Sequence, residues 1–296
     1  MSARPILLTG VTGQVGGALR PLLERFGEVV APTHATLDLA DPDSIRRAVR
    51  EAAPALIVNA AAHTAVDKAE SETDLAMAIN GTAPGVLAEE ARKCGAPLVH
   101  FSTDYVFDGA KPRGYVETDR CNPLNAYGRT KLAGERAVAA AGGAYLIFRT
   151  SWVYGLSGRN FLLTIRRLAA ERKELRIVDD QTGSPTWSQA IAEATARVLA
   201  ERWGGTRADL DGASGLYHMT ASGSTTWCRF ARAIVKETGK TDVIVKAIPT
   251  IDYPTPATRP ARSVLSNAKF RRAFGFALPT WRDQLHACLA SETASR

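Results

Sequence analysis

The residues best suited to acid–base chemistry in this sequence are a tyrosine and a lysine four positions apart, Tyr127 and Lys131. On a helix, positions i and i+4 lie on the same face, so both side chains would reach one site. A nearby ammonium favours the phenolate and lowers the tyrosine pKa from its ordinary value of about 10. The pair therefore predicts a tyrosine that delivers a proton to a developing alkoxide. Because the same spacing occurs by chance on exposed helix faces, it does not decide the function alone.

A second group of polar side chains, Ser102, Thr103, Asp104 and Tyr105, follows a short apolar run. In an open parallel sheet, ligands lie beyond the carboxyl ends of the strands. A hydroxyl at this position could reach the same substrate oxygen as Tyr127, although such residues also commonly cap strands. Tyr127 follows Thr103 by 24 positions, and this order strengthens the interpretation of both groups.

A glycine pattern, Gly10-x-x-Gly13-x-x-Gly16, follows the first apolar run directly. Glycines allow a tight turn and a close approach of the backbone, and the helix that follows points its N–H groups at a pyrophosphate. A glycine-rich turn without a ligand is the alternative. The position at the start of a strand–helix–strand pattern favours a dinucleotide site.

The elements that would position these groups alternate between apolar runs and amphipathic stretches, which is typical of strand–helix–strand units. We predict strands at residues 6–9, 28–31, 56–59, 98–102 and 145–149, and helices at 14–26, 42–52, 84–94 and 123–141. Further helices are predicted at 160–172, 189–203 and 225–238, and a proline-rich loop at 248–260.

This order predicts an α/β fold, a Rossmann-like doubly wound parallel sheet with a smaller mixed C-terminal substrate domain. We expect residues 1–152 to form the dinucleotide-binding domain, with 175–205 returning to the sheet. Residues 153–296 would mostly form the substrate-binding domain.

The composition is that of an ordinary globular protein: 296 residues, 45% hydrophobic and 23% charged. The net charge of +7 is spread along the chain and not clustered, so we expect no nucleic-acid partner. Four scattered cysteines predict neither a disulfide framework nor a metal site, and they fit a reducing compartment. The only apolar run near the N-terminus is residues 6–8, so we expect no membrane segment and a cytoplasmic location.

Longer segments resemble the dTDP-4-dehydrorhamnose reductase family, within the extended short-chain dehydrogenase/reductase superfamily. The segments that carry the resemblance are VNAAAHTAVDKAE at 58–70, HFSTDYVF at 100–107, NAYGRTKLAGE at 125–135, FRTSWVY at 148–154 and YPTPATRP at 253–260. The resemblance runs nearly from end to end. It implies reduction of the C4 carbonyl of dTDP-4-dehydro-L-rhamnose to dTDP-L-rhamnose, without a metal ion.

The resemblance also implies roles for individual residues. Tyr127 would donate the proton, assisted by Lys131 and Thr103, and Lys131 would also bind the nicotinamide ribose. The cofactor would be held by Gly10, Gly13, Gln14, Val15, Gly16, Asp38, Leu39, Ala62, His63, Thr64, Tyr127 and Lys131. The sugar nucleotide would contact Thr103, Asp104, Trp152 and Arg259, and Arg262 is a further candidate for its diphosphate. For His63 a hydrogen-bonded structural role is the better interpretation, and Trp152 could instead belong to the core.

The choice of cofactor depends on residues 32–36, after the second predicted strand. No carboxylate stands there to bind a 2′-hydroxyl and repel a 2′-phosphate, and no arginine stands there either. Both NADPH and NADH are therefore admitted, and NADPH is favoured. The family's acidic residue after the glycine motif, associated with metal-bridged dimers, is absent, because Gly17, Ala18 and Leu19 follow Gly16. We therefore expect a monomer or weak homodimer.

Two alternatives remain open from the sequence. One is a reductase or epimerase that acts on another nucleotide sugar. The other is a non-catalytic regulatory subunit of the same fold, as relatives of this family are in methionine adenosyltransferase. Such a subunit has no reason to retain Thr103, Tyr127 and Lys131 together.

Overall fold

The computed structural model describes residues 4–204 and 210–294. Its centre is a six-stranded parallel sheet in the order β2–β1–β3–β4–β5–β10. The strands are β1 Ile6–Thr9, β2 Val29–Val30, β3 Leu56–Asn59, β4 Leu98–Thr103, β5 Tyr145–Thr150 and β10 Gly215–His218. Shorter pairs lie outside this sheet: β6 Val153–Tyr154 with β9 Thr186–Trp187, β7 Glu174–Val178 with β12 Ile244–Ile248, and β8 Thr182–Gly183 with β11 Thr225–Thr226.

Helices cover both faces of the central sheet. Within the described residues the α-helices with full bounds, on the sheet or in the C-terminal half, are α1 Gln14–Leu23, α2 Pro42–Ala52, α3 Thr73–Met77, α4 Ala83–Lys93, α5 Ala126–Ala140, α6 Phe161–Glu171, α7 Ser188–Arg202, α8 Trp227–Glu237, α9 Ala268–Phe274 and α10 Trp281–Ala294. Leu8 of β1 packs with α1, α7 and α9, whereas its neighbour Leu7 packs with α2 and α4. This alternation is what a strand buried on both faces produces. The fold class predicted from the sequence is confirmed.

A separate apolar core lies in the C-terminal half. It joins α6, α8 and α10 through Leu162, Phe230, Ile234 and Leu285. The β7–β12 pair packs on this core through Leu175 and Val245. Of residues 175–205, helix α7 packs against α1 over the central sheet, while β7 lies outside it. The strand that returns to the sheet after α7 is β10, beside β5.

Some helices begin or end at residues other than those the sequence predicts, because side-chain caps and short-range turns set their bounds. Helix α5 begins at Ala126 and not at residue 123, because the Asn125 side chain accepts a hydrogen bond from the Gly128 N–H and caps the helix. Helix α1 ends at Leu23, three residues before the predicted end. Helix α3 and the π-helical turn Ala78–Thr82 before α4 were not predicted. In the described part of the chain, no helix is long and apolar enough to cross a membrane.

Candidate active site

The glycine turn between β1 and α1 is shaped by close backbone contacts. Gly10 has φ +74°, and a Cβ there would lie 2.5 Å from the Ala61 nitrogen. A Cβ on Gly16 would lie 2.1 Å from the Gly10 carbonyl oxygen, so the first turn of α1 packs directly on the loop. Only glycine is compatible with both positions.

The N-terminus of α1 is open to an anionic ligand. Gly13 occupies the N-cap position without a side-chain cap, and the first turn carries no acidic residue. Free N–H groups and the positive end of a helix dipole favour a phosphate at such a position. The turn therefore fits the pyrophosphate of a dinucleotide.

A cavity of about 630 Å³ extends from this turn along the carboxyl ends of the sheet strands. It brings together most of the residues predicted from the sequence: Gly10, Gly13, Gln14, Val15, Ala62, Thr64, Thr103, Asp104, Tyr127, Lys131 and Trp152. These residues come from the end of β4, from the loops after β1, β3, β4 and β5, and from the first turns of α1 and α5. The cavity therefore joins the helix N-terminus to the tyrosine–lysine pair in one space.

Six predicted site residues lie outside the lining of this cavity: Gly16, Asp38, Leu39, His63, Arg259 and Arg262. Gly16 packs behind the turn, and Asp38 accepts a hydrogen bond from the Ala40 N–H near Leu39. The His63 ring lies 2.8 Å from Glu72 through its Nε2, and its backbone N–H donates to Asn80, so His63 has structural contacts. Arg259 lies in an adjoining cavity.

Tyr127 sits in the first turn of α5 and is partly buried. Burial raises the pKa of Tyr127 to about 12, while a hydrogen bond with Thr103 opposes the increase. Its ring meets Tyr105 edge to face, with centroids 5.9 Å apart. A phenol with this pKa keeps its proton at neutral pH, which is the state that a proton donor requires.

Lys131 lies on the same side of α5, one turn further along, and is only 2% exposed. Its ammonium donates to the Phe101 carbonyl oxygen at 2.6 Å and lies 3.3 Å from His100 Nε2. Burial lowers the pKa of Lys131 to about 8, and the charge of Glu135 opposes this shift. The expected lowering of the Tyr127 pKa by Lys131 is not found, because burial dominates at Tyr127 and the ammonium is held against β4.

Asp104 is a buried carboxyl group at the carboxyl end of β4. Burial raises the pKa of Asp104 to about 6, and hydrogen bonds from Ser263, Ser151 and Thr103 oppose the increase. The Ser151 hydroxyl donates to it at 2.9 Å. Asp104 is thus a polar group on the cavity wall whose charge changes near neutral pH.

Two tryptophans stack at the far end of the cavity. Trp152 has φ +49°, a rare conformation for a large residue, and its ring lies 3.4 Å from that of Trp227 with an interplanar angle of 3°. Gly183 packs against this ring, since a Cβ there would lie 2.4 Å from Trp152 Cε2. Trp227 lines both cavities, and the sequence analysis did not identify it.

The adjoining cavity, of about 760 Å³, shares Tyr105 and Trp227 with the first. Arg259 forms a two-contact ion pair in its wall with Asp67, at 2.5 and 2.8 Å. Arg172 and Arg176 also line this space. Sequence reasoning missed Asp67, which lies within the 58–70 segment but carries no recognisable catalytic spacing. Arg262 lies outside both linings, and its Nε has no partner in the described structure.

Known proteins of one family are similar to this chain over nearly its whole length. The family model described as the RmlD substrate binding domain matches residues 4–294. A dTDP-4-dehydrorhamnose reductase of Burkholderia thailandensis is 48% identical over 96% of this chain and 97% of its own length. One from Escherichia coli K12 is 45% identical over 94% of each chain. The crystal structure of the Bacillus anthracis reductase in complex with NADP superposes with a TM-score of 0.91 at 33% identity, covering 98% of this chain and 99% of that one.

Proposed function

Since this chain belongs to the family of the RmlD substrate binding domain, we propose that it is an oxidoreductase that reduces the C4 carbonyl of dTDP-4-dehydro-L-rhamnose with NADPH or NADH. The product would be dTDP-L-rhamnose. One observation carries the proposal: Thr103, Tyr127 and Lys131 line a single cavity with the open N-terminus of α1.

The proposed work of this chain is proton donation and positioning. The nicotinamide supplies a hydride when it is bound. Tyr127 gives its phenolic proton to the substrate oxygen as negative charge develops there, and the Thr103 hydroxyl rotates from Asp104 to donate to the same oxygen. Lys131 binds the nicotinamide ribose and favours return of a proton to the phenolate. Gly10, Gly13 and the α1 N-terminus bind the pyrophosphate.

The adjoining cavity is proposed to hold the nucleotide end of the substrate. It adjoins the catalytic cavity, because Tyr105 and Trp227 line both. Trp152 and Asp104 would contact the deoxysugar. Arg259 is proposed to approach the diphosphate, because its guanidinium lies in the wall of this cavity and has five N–H donors, of which two contact Asp67 and one the Ala257 carbonyl oxygen.

NADPH is the favoured cofactor in this proposal. Residues 32–36 carry no carboxylate, and the His34 side chain there is 87% exposed. A 2′-phosphate therefore meets no fixed negative charge within that loop. We further propose the division at residue 152, supported by the separate C-terminal core, and a monomer or weak homodimer.

The proposal is tested by following the absorbance of NADPH and of NADH with purified protein and dTDP-4-dehydro-L-rhamnose. Oxidation that depends on this sugar is the expected result, faster with NADPH. Tyr127→Phe should retain NADPH binding and lose turnover by about 10²- to 10⁴-fold. Tyr154→Phe is the matched control, because that hydroxyl is buried in the C-terminal half and lines neither cavity.

Three other outcomes would contradict the proposed function. Oxidation only with a different nucleotide sugar would identify another reductase. Interconversion of sugars without net cofactor oxidation would identify an epimerase. Cofactor binding without turnover on any nucleotide sugar would favour a regulatory subunit.

A further inference from the structure

A row of buried polar side chains crosses the central sheet and ends at Lys131. Thr9 of β1, Asn59 of β3 and His100 of β4 are direct cross-strand neighbours, and their side chains are on the sheet face that α5 covers. Each is 2% exposed or less. Buried polar groups in a sheet are costly unless they are paired, so the contacts of this row require an explanation.

Each side chain of the row lies within hydrogen-bond distance of the next. The Thr9 hydroxyl donates to Asn59 Oδ1 at 2.7 Å, and Asn59 Nδ2 lies 3.1 Å from His100 Nδ1. His100 Nε2 lies 3.3 Å from the Lys131 ammonium. The imidazole is therefore fixed at one nitrogen by the sheet and contacts the lysine with the other.

The protons of Lys131 can be assigned from these contacts. An ammonium has three N–H donors. One donates to the Phe101 carbonyl oxygen and one is directed at His100 Nε2, which leaves one for the cavity that Lys131 lines. The two inward bonds persist when Lys131 is neutral, so the proton that can leave is the one that faces the cavity.

This arrangement requires a particular form of His100. For Nε2 to accept, the single proton of a neutral imidazole must be on Nδ1. Asn59 can accept that proton with its amide oxygen, because a half-turn of the amide exchanges oxygen and nitrogen without moving either contact. The amide N–H then donates to Thr9. Burial and the charge of Lys131 lower the pKa of His100 well below its ordinary value, which keeps the ring neutral.

We propose that His100 is a positioning residue for the reduction: held by Asn59 and Thr9, it accepts one N–H of Lys131 and so directs the remaining N–H at the cavity. The inference rests on the proposed function, because it assigns Lys131 a proton to deliver there. Three tests follow, and the first reports on the imidazole itself, so it distinguishes failure of this inference from failure of that function.

The first test needs no activity. In ¹⁵N-histidine-labelled wild-type protein at neutral pH, two-bond ¹⁵N–¹H spectra distinguish Nδ1–H from Nε2–H rings. The His100 signals are identified by their loss in His100→Gln. A neutral ring with its proton on Nδ1 is expected. A proton on Nε2, or a doubly protonated ring, would overturn the proposal whatever the enzyme reduces.

The second test is a double-mutant cycle. His100→Phe should lower kcat by roughly 10²-fold, since misplacement of a catalytic group has effects of this order. In a Lys131→Met background the same change should have little further effect, because His100 acts through Lys131. Effects that multiply in the double variant would refute the proposal. His100→Gln, which retains an acceptor, should restore most of kcat.

The pH profile provides a readout that a structural role would not change. The titratable groups that act on Lys131 are His100 from β4 and Glu135 from α5, and Tyr127 lies one turn earlier on α5. Loss of the His100 acceptor destabilises the charged ammonium, so the decline of kcat at alkaline pH should begin at lower pH in His100→Phe. His218→Phe is the matched control, because that ring is also fully buried but contacts Arg149. An unshifted profile in His100→Phe would contradict the assignment.

Discussion

The buried carboxyl group of Asp104 should make the stability of this protein fall as the pH rises. Its pKa is raised by burial from 3.8 to about 6. The native state therefore retains a proton that the unfolded chain has already lost between these values. A shift of two pKa units corresponds to about 3 kcal/mol of unfolding free energy. This penalty is absent below about pH 4 and complete above about pH 6.

The Asp104→Asn variant removes the ionisation and keeps the size of the side chain. The hydroxyls of Ser151 and Thr103 can rotate to donate to the amide oxygen or accept from its nitrogen. Relative to wild type, the variant should therefore gain stability as the pH rises. About half of the 3 kcal/mol should develop between pH 5 and pH 8, since the wild-type carboxyl is mostly protonated at the lower pH.

Urea unfolding at pH 5, 6, 7 and 8 measures this difference directly. Asp108→Asn is the matched control, because backbone and side-chain donors, the Ala110 N–H first, lower the pKa of Asp108. That substitution should cost a constant amount of stability over this range, where Asp108 is ionised in both states. If the difference between Asp104→Asn and wild type is flat or falls with pH, the carboxyl is not penalised by burial and the reasoning is wrong.

Three further predictions follow from single contacts. Gly16→Ala should weaken NADPH binding at least tenfold, as measured by titration, because the new Cβ would clash with the Gly10 carbonyl oxygen. Gly212→Ala is the control, since a Cβ there has open space; an equal loss of affinity in that variant would exclude the clash as the cause. Glu135→Gln should cost about 3–5 kcal/mol in urea unfolding, since it leaves the 3% exposed Arg149 charge uncompensated; a loss below about 1 kcal/mol would contradict this. Trp152→Ala should raise the substrate KM more than the cofactor KM in steady-state kinetics, and the opposite order would separate Trp152 from the sugar.

The sequence predicted five of the six strands of the sheet, all but β10, because local signals dominate there. Four of its strands are short apolar runs that are buried on both faces, and the glycine turn marks the first crossover. Pairing between distant segments was not predictable in this way. Strands β7 and β12 are about 70 residues apart, and Ile244 is exposed, so neither run has the pattern of a buried strand.

The candidate site, too, could be predicted from the sequence only where its residues lie in local motifs. Its motif residues meet in one cavity because they follow neighbouring strands of one sheet. Trp227 reaches that cavity from a helix 75 positions after Trp152, and Arg259 meets Asp67 across 192 positions. Such partners depend on how the C-terminal half packs against the sheet. No local spacing in a single sequence carries that information.

The spacing of Tyr127 and Lys131 placed both side chains at one site, yet the direction of the tyrosine pKa shift depends on burial and on the contacts of the ammonium. With pKa values of about 12 and about 8, both groups hold their protons at pH 7. In the proposed mechanism Tyr127 therefore donates its proton without prior ionisation. The negative charge of the phenolate so formed would then favour proton transfer from the Lys131 N–H that faces the cavity. Under this proposal Tyr127 donates and Lys131 restores the proton, while the contacts with Phe101 and His100 on β4 hold the ammonium in position.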